Sequence, residues 1–165
     1  MILLSLLVAC QNQKTGYVDT EELLTEYEEL KEARDQFNKQ NDDIANGLEL
    51  KIQSYQIKED LFRKNVQSMP RKEQEERYNE LQAEAQLIQQ ERQTKIGQLQ
   101  VESQRVIDSL ITKVKDKVKA YGSQNGYTYI YGSNDAGSVL YGTEENDLTT
   151  TILDQLNADF KATKE

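Results

Sequence analysis

Few side chains in this sequence have the chemistry of a catalytic or metal site. The 165 residues contain no histidine and a single cysteine, Cys10. Histidine is the commonest general base and metal ligand, so most catalytic and metal-binding arrangements are missing. Acidic pairs such as Glu28-Glu29 and Glu75-Glu76 would need a desolvating pocket to act in catalysis, and on helix faces they are solubilising charges. With no phosphate loop or nucleophile elbow present, we expect a binding protein that is not an enzyme and holds no metal or cofactor.

Cys10 stands at the end of an apolar run. The run from Ile2 to Ala9 ends in Leu7-Val8-Ala9-Cys10, which resembles a bacterial lipobox, where signal peptidase cuts before a cysteine that carries lipid. Only nine residues precede Cys10 and none is basic, whereas a secretory signal has roughly 15–30 residues with a basic start. We expect residues 1–9 to be a signal segment that starts upstream of Met1 or was trimmed, and Cys10 to be lipidated. The alternative is an apolar terminus with an incidental cysteine.

Two long amphipathic helices are predicted in the middle of the chain. Apolar residues recur at 3/4 spacing from Leu23 to Met69 and again from Tyr78 to Tyr121, the pattern of a coiled-coil seam. Pro70 breaks the first helix, and Asn125-Gly126 ends the second. This predicts an antiparallel hairpin arm over residues 26–119 with its tip near 68–70. Polar residues interrupt the seam and should let the arm bend and splay: Arg34, Asn41, Glu59 and Arg92.

Short strands and a last helix flank the hairpin. β-Branched and aromatic residues predict strands at 15–18, 127–131 and 138–141, and Asp147 is placed to cap an amphipathic helix. Residues 10–25 and 120–165 would then form a small head with too little core to stand alone, so it should oligomerise. Tyr127, Tyr129 and Tyr131 would share one face of a strand. We expect the head tyrosines to pack between strands and subunits: Tyr17, Tyr127, Tyr129, Tyr131 and Tyr141.

Composition favours an elongated, acidic protein. Hydrophobic residues make up 36% of the chain and charged residues 30%, which suits helices that bury a narrow stripe. The net charge is −9, so nucleic acid is not expected as a partner. Residues 26–119 carry 17 basic and 19 acidic side chains, whereas the rest of the chain carries 3 and 10, so the acidity lies mainly in the head and termini.

The order of elements resembles the Skp/OmpH family over roughly residues 15–158. Gly16-Tyr17-Val18-Asp19, Gly126-Tyr127 and Val139-Leu140-Tyr141 carry the resemblance, and Asp147-Leu148-Thr149 with Ile152, Leu156 and Asn157 resembles the family's "D-[IL]-T…V…L-N" ending. The resemblance implies an α+β, mostly α fold, with a helical hairpin inserted in a small β-containing head and a jellyfish-shaped homotrimer. It also implies an ATP-independent holdase chaperone in the periplasm. Its clients would be unfolded outer-membrane β-barrel proteins held between the arms.

The resemblance places client contacts on the inner face of the arms. The candidates are also seam positions, so the seam role and the client role both stay open: Phe37, Ile44, Leu48, Tyr55, Phe62, Val66, Met69, Tyr78, Leu81, Ile88 and Ile96. Residues 51–72 carry a local charge of +4. This excess is either a basic tip for acidic clients or lipid headgroups or an ordinary solvated helix turn. The basic residues are Lys51, Lys58, Arg63, Lys64, Arg71 and Lys72.

Two other functions fit parts of the sequence. A scaffold lipoprotein of the cell envelope would also contain a long coiled coil, and a prefoldin-like cytosolic holdase would apply if Met1 were the true start. Strands on both sides of the hairpin favour the periplasmic chaperone. Cys10 and Thr15 are five residues apart, at most about 17 Å of extended chain. A lipid on Cys10 would therefore hold the head close to a membrane facing the periplasm.

Overall fold

The computed structural model describes residues 13–134 and 137–164, so Cys10 lies outside the described residues. Its elements, in chain order, are β1 (Thr15–Asp19), α1 (Thr20–Glu26), α2 (Glu28–Asn65), α3 (Arg71–Gln124), β2 (Tyr129–Ser133) and α4 (Thr149–Ala162). Short 3-10 turns lie at Val66–Ser68 and Glu144–Asn146. The predicted α+β class, with helix dominant, is confirmed.

The chain divides into two compact units. The first, called the head here, comprises residues 13–31 and 109–164 of the described chain, and the second, the arm, is Glu32–Asp108. Both α2 and α3 contribute residues to each unit. The arm unit lies within the predicted arm of residues 26–119, whose bounds stay a prediction, and the first turn of α2 and the last turns of α3 belong to the head unit.

A two-stranded parallel sheet forms in the head. β1 pairs with β2 in a register that runs from Thr15 beside Tyr129 to Asp19 beside Ser133. Parallel strands need a long crossover between them, and here α1, α2 and α3 provide it. The Thr20 hydroxyl donates to the Ser133 carbonyl at 2.8 Å and holds the end of the sheet to the start of α1.

The prediction of a third strand at residues 138–141 is wrong. The segment has no strand structure, and Leu140 and Tyr141 are 92% and 85% exposed. The second edge of β1 is already occupied, since Tyr17 forms a parallel bridge with Asp147. With β2 on the other edge, the middle of β1 already has a neighbour on both sides.

The sequence motifs Gly16-Tyr17-Val18-Asp19 and Asp147-Leu148-Thr149 meet where α4 begins. The Asp147 carboxylate accepts a hydrogen bond from the Thr149 amide at 2.8 Å, and the Thr149 hydroxyl accepts one from the Asp19 amide at 2.8 Å. Leu148 is buried, and its amide donates to the Tyr17 carbonyl at 2.9 Å. A Cβ on Gly16 would lie 2.8 Å from Leu148 Cδ1. These contacts explain why glycine, aspartate and threonine stand at these positions.

The head contains most of the buried apolar residues. Asp19 caps α1, its carboxylate accepting from the Glu21 and Glu22 amides at 2.9 Å each. Tyr27 separates α1 from α2 with an extended backbone and is fully buried. Burial, and then its hydrogen bond to Glu29, raises the pKa of Tyr27 far above its ordinary value. The buried apolar residues are Val18, Leu23, Tyr27, Leu30, Leu110, Val114, Leu148, Ile152, Leu156 and Phe160.

The arm is an antiparallel pair of helices joined at the predicted tip. Lys51 pairs with Glu91, and Lys58 Nζ lies 2.7 Å from Glu84 Oε1, so a later residue of α2 meets an earlier residue of α3. Met69 is extended, as expected for a residue before proline, and α3 begins directly after Pro70. Across the arm, Leu48 alone is buried. The two helices are therefore held by a thin seam and by cross-helix ion pairs.

The end of α3 follows the predicted stop. The helix ends at Gln124, and Gly126 has a positive φ of 72°. The Tyr127 amide donates to the Gly122 carbonyl at 2.9 Å, which is the hydrogen bond expected of a helix ending in a left-handed glycine.

Two glycines weaken the arm at one level. Because Lys51 pairs with Glu91 and Lys58 with Glu84, the two helices are aligned so that Gly97 lies almost level with Gly47. The two glycines are offset by about two residues, or roughly 3 Å along the helix axis. An added Cβ would meet nothing within 4 Å at either position. Glycine in a helix interior costs about 0.5–1 kcal/mol relative to alanine. The two helices are therefore easiest to bend at this level.

We expect Gly47→Ala and Gly97→Ala each to raise the free energy of unfolding by about 0.5–1 kcal/mol, because alanine lowers the entropy cost without a clash. Urea titrations followed by circular dichroism measure the change. Gly16→Ala is the matched control, and it should destabilise the protein because its Cβ would contact Leu148 and the Asn146 carbonyl. Loss of stability in the two arm variants would contradict the open space at these positions.

Candidate functional site

Most of the predicted client-contact residues lie in the seam of the arm. Leu48 is buried, and Tyr78 and Ile96 are 53% and 40% exposed. The others are half-buried: Phe37, Ile44, Tyr55, Phe62, Val66, Met69, Leu81 and Ile88. These half-buried side chains leave less of their surface in solvent than Tyr78 and Ile96 do, and whether they serve the seam or a client stays open.

A different set of apolar side chains is exposed along the arm. Leu50, Ile57, Leu61, Leu87 and Val101 each leave between 54% and 72% of their surface in solvent. Residues four, seven or fourteen apart fall on one side of an α-helix. The first three therefore share one side of α2, and the last two share one side of α3.

Both helices contribute residues to two grooves of the arm. Lys51 and Ser54 of α2 line one groove with Leu87 and Glu91 of α3. A neighbouring groove is lined by Leu61 together with other residues of both helices, and Glu84 borders both grooves. We call the five exposed side chains Leu50, Ile57, Leu61, Leu87 and Val101, of which Leu61 and Leu87 line these grooves, the apolar flank.

The other side of the arm carries exposed residues that do not line these grooves. Tyr78 and Ile96 each lie nine residues from Leu87, which is two and a half turns of helix, so they point to the other side of α3. Exposed glutamines occupy much of that side: Gln53, Gln56, Gln89 and Gln93. We call this side the polar flank.

Charges on the apolar flank are neutralised by ion pairs. Glu91 contacts Lys51 across the arm, and its carboxylate also lies 2.8 Å from Lys95 Nζ. Hydrogen bonds from Lys51 and then from Lys95 lower the pKa of Glu91 to about 2. Lys58 and Glu84 form the second cross-helix pair. The side chains between the exposed aliphatic residues thus form compensated pairs with little excess charge.

The six basic residues of the distal arm are spread along it, and most have acidic neighbours. Lys51 and Lys58 form the cross-helix pairs, Arg63 lies 3.3 Å from Glu59, and Lys72 lies 3.8 Å from Glu76. The sequence count over 51–72 omits the acidic residues that α3 brings beside the tip, such as Glu76 and Glu84. The local excess of positive charge is therefore smaller than the sequence segment alone indicates.

Tyrosines gather on one face of the head's sheet. Tyr17 lies beside Tyr131 in the strand register, and the rings of Tyr129 and Tyr131 stack with their centroids 5.9 Å apart. Tyr129 and Tyr131 remain half-exposed, and the exposed Tyr141 lines a shallow pocket beside them. Burial, and then the nearby Asp147 carboxylate, raises the pKa of Tyr17. We call this surface the tyrosine face.

Tyr127 does not belong to the tyrosine face. β2 begins at Tyr129, two residues later than predicted, so Tyr127 lies outside the strand. Its ring lies 6.0 Å from that of Tyr121, and Lys14 Nζ is 4.0 Å from its centroid. The prediction that Tyr127 shares a strand face with Tyr129 and Tyr131 is therefore wrong, because the turn after α3 uses residues 125–128 to reach β1.

Residues 13–134 and 137–164 contain neither a candidate metal site nor a candidate membrane span. Within these residues, no group of three or more acidic, histidine or cysteine side chains has an arrangement that could hold a metal ion. None of the helices there is long and apolar enough to cross a membrane. The apolar flank and the tyrosine face are thus the surfaces that call for a functional explanation.

Comparison with known proteins identifies the family. The family model for outer membrane protein (OmpH-like) matches residues 14–156, and the chain therefore belongs to the OmpH-like family. A solved structure described as a putative outer membrane chaperone (OmpH-like) from Caulobacter crescentus CB15 superposes with a TM-score of 0.79. The match covers 89% of this chain and 85% of that chain at 10% identity, so it shows the shared fold alone. Among curated proteins none matches the sequence.

Proposed function

We propose that this protein is a periplasmic holdase chaperone that keeps unfolded proteins from aggregating without using ATP. The observation that carries the proposal is the row of exposed aliphatic side chains on the apolar flank of a thinly packed arm. Exposed apolar groups in such a row usually mark an interaction surface. Membership of the OmpH-like family supports the same function.

The physical properties of the arm suit weak binding of many different chains. Leu48 is the one buried residue of the arm, and Gly47 and Gly97 make its two helices easier to bend. A flexible apolar surface can repack around sequences of different shape, whereas a rigid pocket selects one ligand. Affinity would then come from many small contacts, and release would need no energy source.

We propose unfolded outer-membrane β-barrel proteins as the clients. The Caulobacter structure is described as a putative outer membrane chaperone, which supports this choice. Strands of such barrels alternate apolar and polar residues. Each strand of the unfolded chain therefore carries a row of apolar side chains that are exposed to water. Such rows aggregate readily unless another apolar surface covers them.

Light scattering tests the proposed function. A urea-unfolded outer-membrane β-barrel protein is diluted with and without the purified protein from residue 11 onward. We expect near-stoichiometric protein to suppress the scattering, because the arms cover the exposed apolar rows. Unchanged aggregation in the presence of folded protein would contradict the holdase and favour the alternative, a scaffold lipoprotein that binds one folded partner.

We further propose that three copies assemble through the tyrosine face. The face carries large half-exposed rings that the rest of the head leaves uncovered. Tyrosine is enriched in protein interfaces because it buries a large apolar area while its hydroxyl keeps a polar partner. The small core of the head gives a second reason, since the buried rings would add to it.

Replacing Tyr129 and Tyr131 together by serine should dissociate the trimer, because the stacked ring pair would be lost. Multi-angle light scattering after gel filtration measures the mass, and we expect it to fall from three chains to one. Tyr78→Ser is the matched control, since Tyr78 is equally exposed but lies on the arm. Three chains in the double variant would contradict the role of the tyrosine face.

We propose that a lipid on Cys10 anchors the protein to a membrane facing the periplasm. The lipobox-like sequence before Cys10 supports this anchor. Cys10→Ser should move the protein from the membrane to the soluble fraction of cells, because it removes the thiol that bears the lipid. If the variant stayed in the membrane fraction, the lipid anchor would be wrong.

A further inference from the structure

We infer that Asn125 is a site of spontaneous deamidation, and that this modification loosens the turn that leads from α3 into β2. The reaction would occur whether or not the arm binds clients. The sequence contains two Asn-Gly pairs, Asn46-Gly47 and Asn125-Gly126. Both asparagines and both glycines are exposed, so the two pairs differ in the backbone that surrounds them and not in their contact with water.

Deamidation of an Asn-Gly pair needs only the two residues and water. The backbone nitrogen of the glycine attacks Cγ of the asparagine, and a succinimide ring forms while the side-chain NH2 group leaves with the glycine proton as ammonia. Water then opens the ring at one of its two carbonyl carbons and gives aspartate or isoaspartate. Glycine favours the attack because it has no Cβ to crowd its nitrogen and its backbone turns freely. A glycine amide that is held in a hydrogen bond keeps its proton and reacts slowly.

The helix protects the pair Asn46-Gly47. Both residues lie in the interior of α2, where each amide donates to the carbonyl four residues earlier. The Gly47 nitrogen is therefore held in the hydrogen-bond ladder, and the helical backbone restricts the rotation that ring closure requires. Deamidation at Asn46 would need at least one turn of α2 to open first.

The end of α3 leaves Asn125-Gly126 without that protection. The helix ends at Gln124, so both residues lie beyond it, and Gly126 has a φ of 72°. Within residues 13–134 and 137–164, the Gly126 amide has no hydrogen-bond acceptor. The Asn125 side chain is held by an exposed hydrogen bond from Nδ2 to the Tyr121 carbonyl at 2.8 Å. Once that hydrogen bond opens, Cγ is free to meet the Gly126 nitrogen.

Asn125 also takes part in holding the end of α3. Its backbone amide and its Nδ2 both donate to the Tyr121 carbonyl, at 3.0 and 2.8 Å, and its own carbonyl accepts from Lys14 Nζ at 3.0 Å. An ionised aspartate side chain cannot donate to the Tyr121 carbonyl. Its negative charge would also lie at the C-terminal end of α3, where the helix dipole disfavours anions. Deamidation to aspartate therefore weakens the end of the helix.

Isoaspartate would also lengthen the main chain of the turn. In isoaspartate the backbone runs through the side-chain carbons, which adds a methylene to the main chain after the modified residue. The amides of Tyr127 and Thr128 donate to the carbonyls of Gly122 and Lys14 at 2.9 and 2.8 Å. These hydrogen bonds lead directly into β2, so a longer main chain ahead of them would displace both donors and weaken the pairing of β2 with β1.

Peptide mapping by tandem mass spectrometry tests the site. The intact protein is incubated at mildly alkaline pH, once folded and once in concentrated urea, and deamidation at the two pairs is followed over time. In the folded protein we expect Asn125 to deamidate at least tenfold faster than Asn46. In urea the two rates should agree within twofold, because unfolding removes the helix that protects Asn46. Equal rates in the folded protein would overturn the inference, and so would a tenfold difference that persists in urea, since it would come from the neighbouring sequence.

Two variants test the consequence for the head. Asn125→Asp reproduces one product, and we expect its urea midpoint to fall below that of the wild type. Near-ultraviolet circular dichroism measures the midpoint, because most tyrosines lie in the head. Asn46→Asp is the matched control: it adds the same charge at an exposed position inside α2 and should lower this midpoint less. An Asn125→Asp protein as stable as the wild type, or an equal loss in the control, would contradict the loosening of the turn.

Asn125→Gln separates the modification from other effects of incubation. Glutamine keeps an amide donor, but its side chain is one carbon longer and forms the corresponding ring far more slowly. After alkaline incubation of the folded proteins, we expect the midpoint of the wild type to fall and that of Asn125→Gln to stay constant. A wild-type midpoint that stays constant although mass spectrometry shows Asn125 to be modified would overturn the claim that deamidation loosens the turn.

Discussion

The thin seam between α2 and α3 is the constraint on which the rest of the structure depends. Leu48 is the one fully buried residue of Glu32–Asp108, so the two long helices do not bury a continuous apolar core there. Among residues 13–134 and 137–164, ten of the eleven buried apolar residues belong to the head, and Leu48 is the one in the arm. Stability is therefore concentrated in the head, and the arm relies on helix propensity, half-buried side chains and cross-helix ion pairs. The head connects to this arm through α2 and α3 themselves, because both helices run from one unit into the other.

Exposure on the arm follows from the same constraint. A seam only one side chain wide leaves Leu50, Ile57 and Leu87 exposed to solvent. Burying any one of these side chains would contribute more than about 1 kcal/mol to stability. In a hydrophobic core such residues would be buried. On the arm they lie near the ion pairs Lys51–Glu91 and Lys58–Glu84, whose charged groups keep the surrounding surface hydrated. Exposed aliphatic groups between compensated charges allow weak, reversible contact with another chain, and an arm that bends at Gly47 and Gly97 can adjust to its shape.

The sequence predicted the helices and their ends better than it predicted which apolar side chains are exposed. The 3/4 spacing, Pro70 and Gly126 identified both arm helices and their ends, because local propensity and turn chemistry decide those features. Asp147 accepts a hydrogen bond from the first residue of α4, one residue before the observed N-cap Leu148, close to its predicted capping role. The hydrogen bonds that join this motif to β1 were not predicted. Residues 138–141 failed as a strand because strand pairing depends on a free edge, and Asp147 had taken it. The apolar flank was not predicted because its residues, at spacings of four, seven and fourteen, lie outside the 3/4 pattern of the main seam.

The most direct test of the account is amide hydrogen exchange of the intact protein, alone and with an unfolded β-barrel client. Exchange reports local opening, so a thinly held arm should exchange faster than the buried side of α4 around Ile152 and Leu156. We predict that client slows exchange at residues 50–61 and 87–101 and leaves α4 unchanged. An arm as protected as α4 before client is added, or protection by client confined to the head, would contradict the claim that a loosely packed arm is the binding element.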